Sequence, residues 1–357
     1  MPETAEKTKS KPDAEMREGT VVKGAGGVYE VDVSTGDDRA EPLVCQLGGR
    51  LKKGRRAFSQ PVSVGDRVRV RPLETSGGNR EGVNHNEGFI EEVLPRTSQL
   101  GRSRYNKTAQ VTVANLDQVV IVMASREPDL NPHRLDRFLV LAEANELRTV
   151  ICFNKVDLLK PREIRAEIEP LASLYSSLGY PTVLTSAEKE FDTGRDILKN
   201  ELKGHISAFI GSSGVGKSSL VMMIQPDLQL WVGDVMEIGK GRHTTTDVSL
   251  FRLDGGGYIA DTPGVKTVAL LEQQEINVEH CFPEFRALLG QCKFNDCTHR
   301  SEPGCAVRAA LEAGEIAASR YESYTRLWVE IDAMAPDYSK KKEGGRSSIF
   351  SDELGGI

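Results

Sequence analysis

A chain of three folded parts is expected from these 357 residues: an N-terminal β-barrel of the OB-fold kind, a central α/β domain around a phosphate-binding loop, and a C-terminal helical module that binds metal. Three observations lead there. Short alternating apolar runs separated by Gly, Asp and Asn clusters fill the stretch from Gly19 to Arg96. Continuous apolar runs then alternate with helical-period segments and lead into the glycine-rich GSSGVGKSS, Gly211 to Ser219. Finally Cys292, Cys297, His299 and Cys305 crowd into one short segment ahead of a strongly helical stretch. The boundaries read as 18–105 for the barrel, 106–275 for the α/β domain and 276–335 for the metal module; 1–17 are expected to be disordered and 336–357 a flexible tail.

Composition narrows the function classes. With 39% hydrophobic residues the chain can build real cores, yet no run is long enough for a membrane span and MPETAEKTKSKPDAEMREG lacks the apolar centre of a signal peptide. A cytoplasmic protein without a membrane partner is expected. In such a reducing compartment the four cysteines crowded late in the chain, Cys281, Cys292, Cys297 and Cys305, argue for metal rather than disulfides. The net charge of −6 hides a basic module, because Arg50, Lys52, Lys53, Arg55, Arg56, Arg67, Arg69 and Arg71 face only Asp66 within their stretch.

The barrel strands read as GTVVKGAGGVYEVDV, PLVCQLGG, GDRVRVRPL and GFIEEVLPR, arranged as a small antiparallel barrel. The basic LKKGRR and RVRVR fit RNA contact, and fit a solvated surface equally well. His85, between Asn84 and Asn86 in a Gly-rich loop, reads as exposed. Arg96 to Gln110 reads as a polar connector.

The central domain opens with LDQVVIVMAS, a buried parallel strand, then HRLDRFLVLAEAN with apolar residues at helical spacing, then the strand RTVICF. That strand ends in Asn154-Lys155-Val156-Asp157, an NKxD box. An Asp carboxylate there can accept both guanine N1–H and the exocyclic amine, a donor pair adenine lacks. Asn154 would buttress the loop and the Lys155 stem would lie against the base. The next strand, PTVLTSA, delivers Thr185, Ser186 and Ala187, whose backbone N–H groups can reach the guanine oxygen.

In GSSGVGKSS, Gly211, Gly214 and Gly216 let backbone N–H groups turn inward on a phosphate chain at the start of a helix. Lys217 would hold the terminal phosphates, and the Ser218 hydroxyl would ligate Mg²⁺. The helix SSLVMMIQ follows, then a polar loop with His243, Thr244 and Thr245, a strand, and GGGYIADTPG. Asp261 at that strand's end can hold the Mg²⁺ shell, and the Gly264 N–H can contact the γ-phosphate.

Taken together, NKVD, TSA, GSSGVGKSS, GRHTT and DTPG resemble the parts of a Ras-like GTPase, in an order where base recognition precedes the phosphate loop. With a barrel before them and a cysteine cluster after, the chain resembles the circularly permuted P-loop GTPases that depend on the small ribosomal subunit, the RsgA/YjeQ family, over roughly residues 19–335. Permutation leaves such a site intact, because every nucleotide-contacting loop lies on one sheet edge. It also wires the Asp261–Gly264 segment directly to the C-terminal module.

The resemblance implies hydrolysis of GTP to GDP and phosphate in late maturation of the small ribosomal subunit, with rRNA bound and release set by the GTPase cycle. The implied GTP-binding residues are Asn154, Lys155, Val156, Asp157, Ser186, Ala187, Gly211, Ser212, Ser213, Gly214, Val215, Gly216, Lys217, Ser218, Ser219 and Gly264. Mg²⁺ falls to Ser218, Asp261 and one of Thr244 and Thr245. Many Ras-like enzymes place a water-orienting Gln after the Gly of DxxG, where this chain has Val265. His243 is the replacement candidate, beside Lys217 as the second catalytic residue. No arginine finger is evident near these motifs, so unassisted turnover is expected to be slow. Gly214 and Val215 stand where potassium-activated relatives carry Asn, and no potassium dependence is expected.

Three thiolates and an imidazole, Cys292, Cys297, His299 and Cys305, are a favoured closed Zn²⁺ set, hence a structural zinc, one per chain. The spacing alone also allows reduced, unligated residues, and His280 and Cys281 are rival ligands. Cys45 and Cys152 read as buried thiols. The expected state is a monomer. Two further readings stand beside the enzyme: a nucleotide-gated clamp whose hydrolysis is incidental, and an ATP-using kinase, which NKxD disfavours.

Overall fold

The computed structural model describes residues 15–34, 41–49, 51, 61–73, 87–102, 110–188, 190–191, 193–228, 248–261 and 276–334. They fall into two compact units, one made of the described residues up to 115 with 248–250, the other of those within 116–228 and 251–334.

In the first unit, β1 (Arg17–Ala25) and β2 (Val28–Asp32) form a hairpin whose turn glycines, Gly26 and Gly27, take φ of 60° and 86°. β3 (Leu43–Leu47), β4 (Arg67–Pro72) and β5 (Glu87–Val93) close a barrel in the order β1-β2-β3-β5-β4. Alternation along the strands sends Val21, Val31, Cys45, Val68, Val70 and Ile90 inward. The expectation of an antiparallel barrel needs one correction: β3 and β5 run parallel. Strand direction cannot alternate around a closed ring of odd number, so five strands require at least one parallel pair. Burial pushes the Cys45 thiol up to about 11, an inert buried thiol.

The expected connector from Arg96 to Gln110 is also corrected. It supplies β6 (Gln99–Arg102), which pairs antiparallel with β7 (Gln110–Ala114). The alternating QVTVA run needs a partner for its backbone groups, and the preceding segment provides it.

Among the described residues, the arginines of β4 are each paired with a carboxylate. Arg69 bridges Glu18 at 3.1 Å and Glu92 at 2.9 Å, Arg71 pairs with Glu91 at 2.9 Å, and Arg67 lies 3.5 Å from Glu18. Arg96 grips the buried Asp66 carboxylate through two nitrogens, at 2.6 and 2.8 Å. The RVRVR stripe is therefore not a free cationic surface. Lys52, Lys53, Arg55, Arg56 and His85 lie outside the described residues.

The second unit is built on a six-stranded sheet. In chain order its elements are β8 (Gln118–Ala124), α1 (Pro132–Ala144), β9 (Arg148–Asn154), α2 (Glu169–Ser177), β10 (Thr182–Leu184), α3 (Arg195–Leu202), β11 (Ile206–Ile210), α4 (Lys217–Ile224), β12 (Ser249–Arg252) and β13 (Tyr258–Asp261). The sheet order is β10-β9-β8-β11-β13-β12. β8 and β11 are buried along their whole length, and the polar residues they carry, Gln118 and Ser207, satisfy each other, Gln118 Nε2 donating to Ser207 Oγ at 3.0 Å. The pairs β10/β9, β9/β8, β8/β11 and β11/β13 are parallel. Asn154, Leu184, Ile210 and Asp261 therefore all end on one edge, and the loops after them share it.

The C-terminal module belongs to the same compact unit. Its helices, α5 (Ala306–Glu312) and α6 (Ala318–Met334), share an apolar core with Phe282, Phe285 and Val140 of α1. Beside this core Arg320 is 1% exposed. It donates to Glu284 at 2.7 and 3.2 Å and to Asp136 on α1, whose carboxylate also accepts from Tyr175 Oη at 2.7 Å. No helix among the described residues is long and apolar enough to cross a membrane.

Candidate functional site

The phosphate loop sits where β11 meets α4. Gly211 and Gly216 take φ of 148° and 95°, and neither tolerates a side chain: a Cβ would stand 2.3 Å from the Val122 carbonyl oxygen at Gly211 and 2.3 Å from Asn154 Nδ2 at Gly216. Gly216 at the N-cap of α4 has no side chain to cap the helix. The first N–H groups of α4 are left for an anion. Lys217 Nζ folds back on the loop, donating to the carbonyls of Gly211 and Ser212 at 2.8 Å each. Burial pushes its ammonium below the ordinary lysine value, a penalty that a bound polyanion would reverse. Ser212 and Ser218 are half-buried and Ser213, Gly214 and Ser219 exposed, whereas Val215 turns its side chain into the core and offers the site only its backbone.

The NKxD segment and the TSA strand, expected to read a guanine base, meet this loop through Asn154, which is 1% exposed. Its Nδ2 donates to Val215 O at 2.8 Å, and its Oδ1 accepts from Thr185 Oγ1 at 3.0 Å. One amide thus joins three segments separated by up to 61 positions of chain. Lys155 takes the left-handed backbone region at φ 62°, and its ammonium donates to the Glu127 carbonyl; Val156 is buried. Ser186 Oγ donates to Asp157 Oδ1 at 2.6 Å, orienting that carboxylate. The Ser186 amide is already engaged with Thr193 O at 3.2 Å. Asp261 ends β13 on the same sheet edge, its side chain outside the described residues, as are His243, Thr244, Thr245, Gly264 and Val265 entirely.

Sequence reasoning missed Arg134. It stands in the first turn of α1, the helix that follows β8, the strand paired with the phosphate-loop strand β11, and its Nη1 donates to Ser212 Oγ at 3.1 Å. The readable signal was a cation where the helix dipole disfavours one, in a first turn without any acid.

Four residues that could hold a metal ion come together in the C-terminal module. One ligand atom from each of Cys292, Cys297, His299 and Cys305 falls within 4.8 Å of the others. Tetrahedral zinc with bonds of about 2.3 Å to sulfur and about 2.0 Å to nitrogen sets sulfurs about 3.8 Å apart and sulfur about 3.5 Å from nitrogen. The structure has Cys292 Sγ and Cys305 Sγ 4.0 Å apart, and His299 Nδ1 3.4 and 3.5 Å from them. The residues fit such an ion. His280 is exposed, and Cys281 is buried in the apolar core with its thiol on Asn277 O at 3.4 Å, so neither joins the set.

The ligand loop is held from outside. His299 takes φ 59°, kept there by Tyr321 Oη on its carbonyl at 2.8 Å, while Tyr324 Oη holds the Thr298 carbonyl at 2.7 Å. The Ala306 N–H at the start of α5 donates to Cys292 Sγ at 3.3 Å. Glu302 accepts from the amides of Thr298, Arg300 and Ser301 and from Thr298 Oγ1. Burial would raise its carboxyl, but these bonds prevail and hold it well below the ordinary range.

Comparisons with known proteins agree with this geometry. A profile of the RsgA GTPase matches residues 93–271. The chain is 42% identical over 321 residues to the small ribosomal subunit biogenesis GTPase RsgA of Gemmatimonas aurantiaca, covering 88% of this chain and 97% of that one. It is 40% identical over 316 residues to the protein of the same name from Thermotoga maritima, with the same coverage of both. Among solved structures, YjeQ from Thermotoga maritima superposes with a TM-score of 0.67 at 38% identity, over 89% of this chain and 99% of that one. YloQ, described as a circularly permuted GTPase, gives 0.69 at 32% identity over 93% and 100%. With the guanine-reading strand ahead of the phosphate loop, a closed five-stranded barrel before it and a four-ligand knuckle after it, this chain belongs to the RsgA GTPase family, whose members hydrolyse GTP on a circularly permuted fold.

Proposed function

We propose that this GTPase works on the small ribosomal subunit during its biogenesis, hydrolysing GTP to GDP and phosphate and leaving the particle as the nucleotide state changes. One observation carries the reading: the Asn154 amide ties the base-recognition strand to Val215 of the phosphate loop, so that Asp157 and Lys217 serve one nucleotide. Asp157 selects guanine, the Ala187 amide meets the guanine oxygen, and Lys217 with the loop amides neutralises the phosphates. Mg²⁺, when bound, supplies further neutralising charge at the terminal phosphates; Ser218, Asp261 and either Thr244 or Thr245 are the residues assigned to hold it. His243 is assigned to orient the attacking water, in place of the Gln that Val265 replaces.

The metal in the C-terminal knuckle is zinc, and it is structural. Four protein donors leave no coordination position for water, and the ion contributes folding energy to a module with a small core. Elemental analysis should return one zinc per chain. The barrel and the knuckle are assigned to rRNA, although the ion-paired Arg67, Arg69 and Arg71 shift that contact toward other residues of the barrel.

The test is GTP turnover with and without purified small subunits. Strong stimulation supports the reading. A rate indifferent to the subunit, with GTP and a non-hydrolysable analogue giving equal release, would favour a nucleotide-gated clamp instead.

A further inference from the structure

Two cations converge on one residue of the phosphate loop. Lys217 Nζ donates to the Ser212 carbonyl at 2.8 Å, and Arg134 Nη1 donates to the Ser212 hydroxyl at 3.1 Å. Arg134 has no carboxylate partner among the described residues, unlike its neighbours: Arg126 pairs with Glu163 and Glu167, and Arg137 with Glu330. Ser212 is the second residue of the loop, on the side where Lys217 reaches for the terminal phosphates. Two cations meeting on one residue, neither with a carboxylate partner among the described residues, mark a place built for more negative charge than those residues supply.

We propose that Arg134 is a phosphate-contacting residue of this GTPase, moving its guanidinium from Ser212 to the γ-phosphate and so setting the preference for GTP over GDP. The inference rests on the GTPase reading and adds to it a residue outside every motif of the site. GDP lacks the group that Arg134 would meet, so the contact is made only with the triphosphate. It also adds positive charge where phosphoryl transfer develops negative charge, supplied from within the chain rather than by a partner. α1 carries Arg134 at its first turn and Asp136 and Arg137 on contacts with α6, so a guanidinium drawn to the nucleotide pulls on the helix that packs against the zinc module.

The experiment measures calorimetric affinity for GDP and for a non-hydrolysable GTP analogue, with single-turnover GTP hydrolysis, in the wild type, Arg134→Ala and Arg134→Lys. For Arg134→Ala the analogue should bind about 10- to 100-fold more weakly, the worth of one charge-assisted contact, with GDP affinity unchanged. Hydrolysis should slow, and added guanidinium should restore part of it. Arg134→Lys should fall between the two, and it carries the test if the alanine variant does not fold. Equal losses for GDP and analogue, or an unchanged ratio, would overturn the proposal and reduce Arg134 to a prop for the loop, with the GTPase reading intact. A wild type that binds neither nucleotide would overturn both.

Discussion

Arg320→Met removes a charge that is 1% exposed and leaves its hydrophobic stem. Two carboxylates lose their counter-ion: Asp136, equally buried, and Glu284, whose side chain is 8% exposed. Tyr175 Oη still donates to Asp136 Oδ1 at 2.7 Å, but Asp136 Oδ2 has no hydrogen-bond partner among the described residues even in the native chain. The guanidinium also lies 4.4 Å from the Phe282 ring centroid, a contact that Met retains in part. Breaking a buried ion network by removing one member costs about 3–5 kcal/mol, mostly as uncompensated charge. The stranded carboxyls should then have raised pKa values. Their penalty is fully felt above those values and relieved as pH falls through them, so the variant's deficit should shrink in acid. Adding Asp136→Asn and Glu284→Gln removes the stranded charge and should recover most of the loss. Native-state hydrogen exchange across Ala318–Met334 is the assay, because it reads opening of the module without assuming all-or-none unfolding of the chain. A loss below about 1 kcal/mol, or a triple variant no better than the single one, would refute this account of how the module is fastened to α1.

Asn154→Ala should weaken GTP and GDP together and destabilise the chain by about 2–4 kcal/mol, because the Val215 carbonyl and the buried Thr185 hydroxyl both lose a partner. Wild-type affinity in calorimetry would detach Asn154 from the pocket. Glu302→Gln should lower stability near neutral pH by about 1 kcal/mol, discounted for partial exposure. The folded Glu302 carboxyl sits below its unfolded value, so its contribution is present above about pH 4.3 and is lost as pH falls further, and the gap in melting temperature between wild type and variant should close in acid; a gap constant with pH would contradict this. His243→Ala should slow subunit-stimulated hydrolysis about 100-fold or more with nucleotide affinity intact, and an unaffected stimulated rate would remove His243 from catalysis.

How much of this was legible in the sequence depended on whether function lay in backbone geometry or in side-chain encounters. The NKxD box, the TSA strand and the GSSGVGKSS loop each need particular residues at fixed spacing, and β8, β9 and β11 are apolar enough to read as buried parallel strands. Their convergence follows from topology, since parallel strands put all their C-terminal ends on one edge. The knuckle was readable because four ligands lie within one short loop. Arg134 was legible only as an unusual cation in a helical first turn: its partner Ser212 lies 78 positions away, reached through the adjacency of β8 and β11, and no local pattern encodes that meeting. The same holds for Arg320, whose partner Asp136 is 184 positions away. β6 escaped notice because its pairing depends on β7 further along the chain. The pairing of the RVRVR arginines was hidden for a related reason, since Glu18, Glu91 and Glu92 come from other strands of the barrel.

Base specificity in an Asp157→Asn variant tests most directly whether separated segments build one guanine-nucleotide pocket. The amide can no longer accept both guanine donors, but it can donate to the 2-oxo group of xanthine. The account predicts about a 100-fold loss of GTP affinity with a corresponding gain for xanthosine triphosphate, hydrolysed through the same Lys217 loop. Unchanged GTP binding, or a loss without any gain for the xanthine nucleotide, would contradict it.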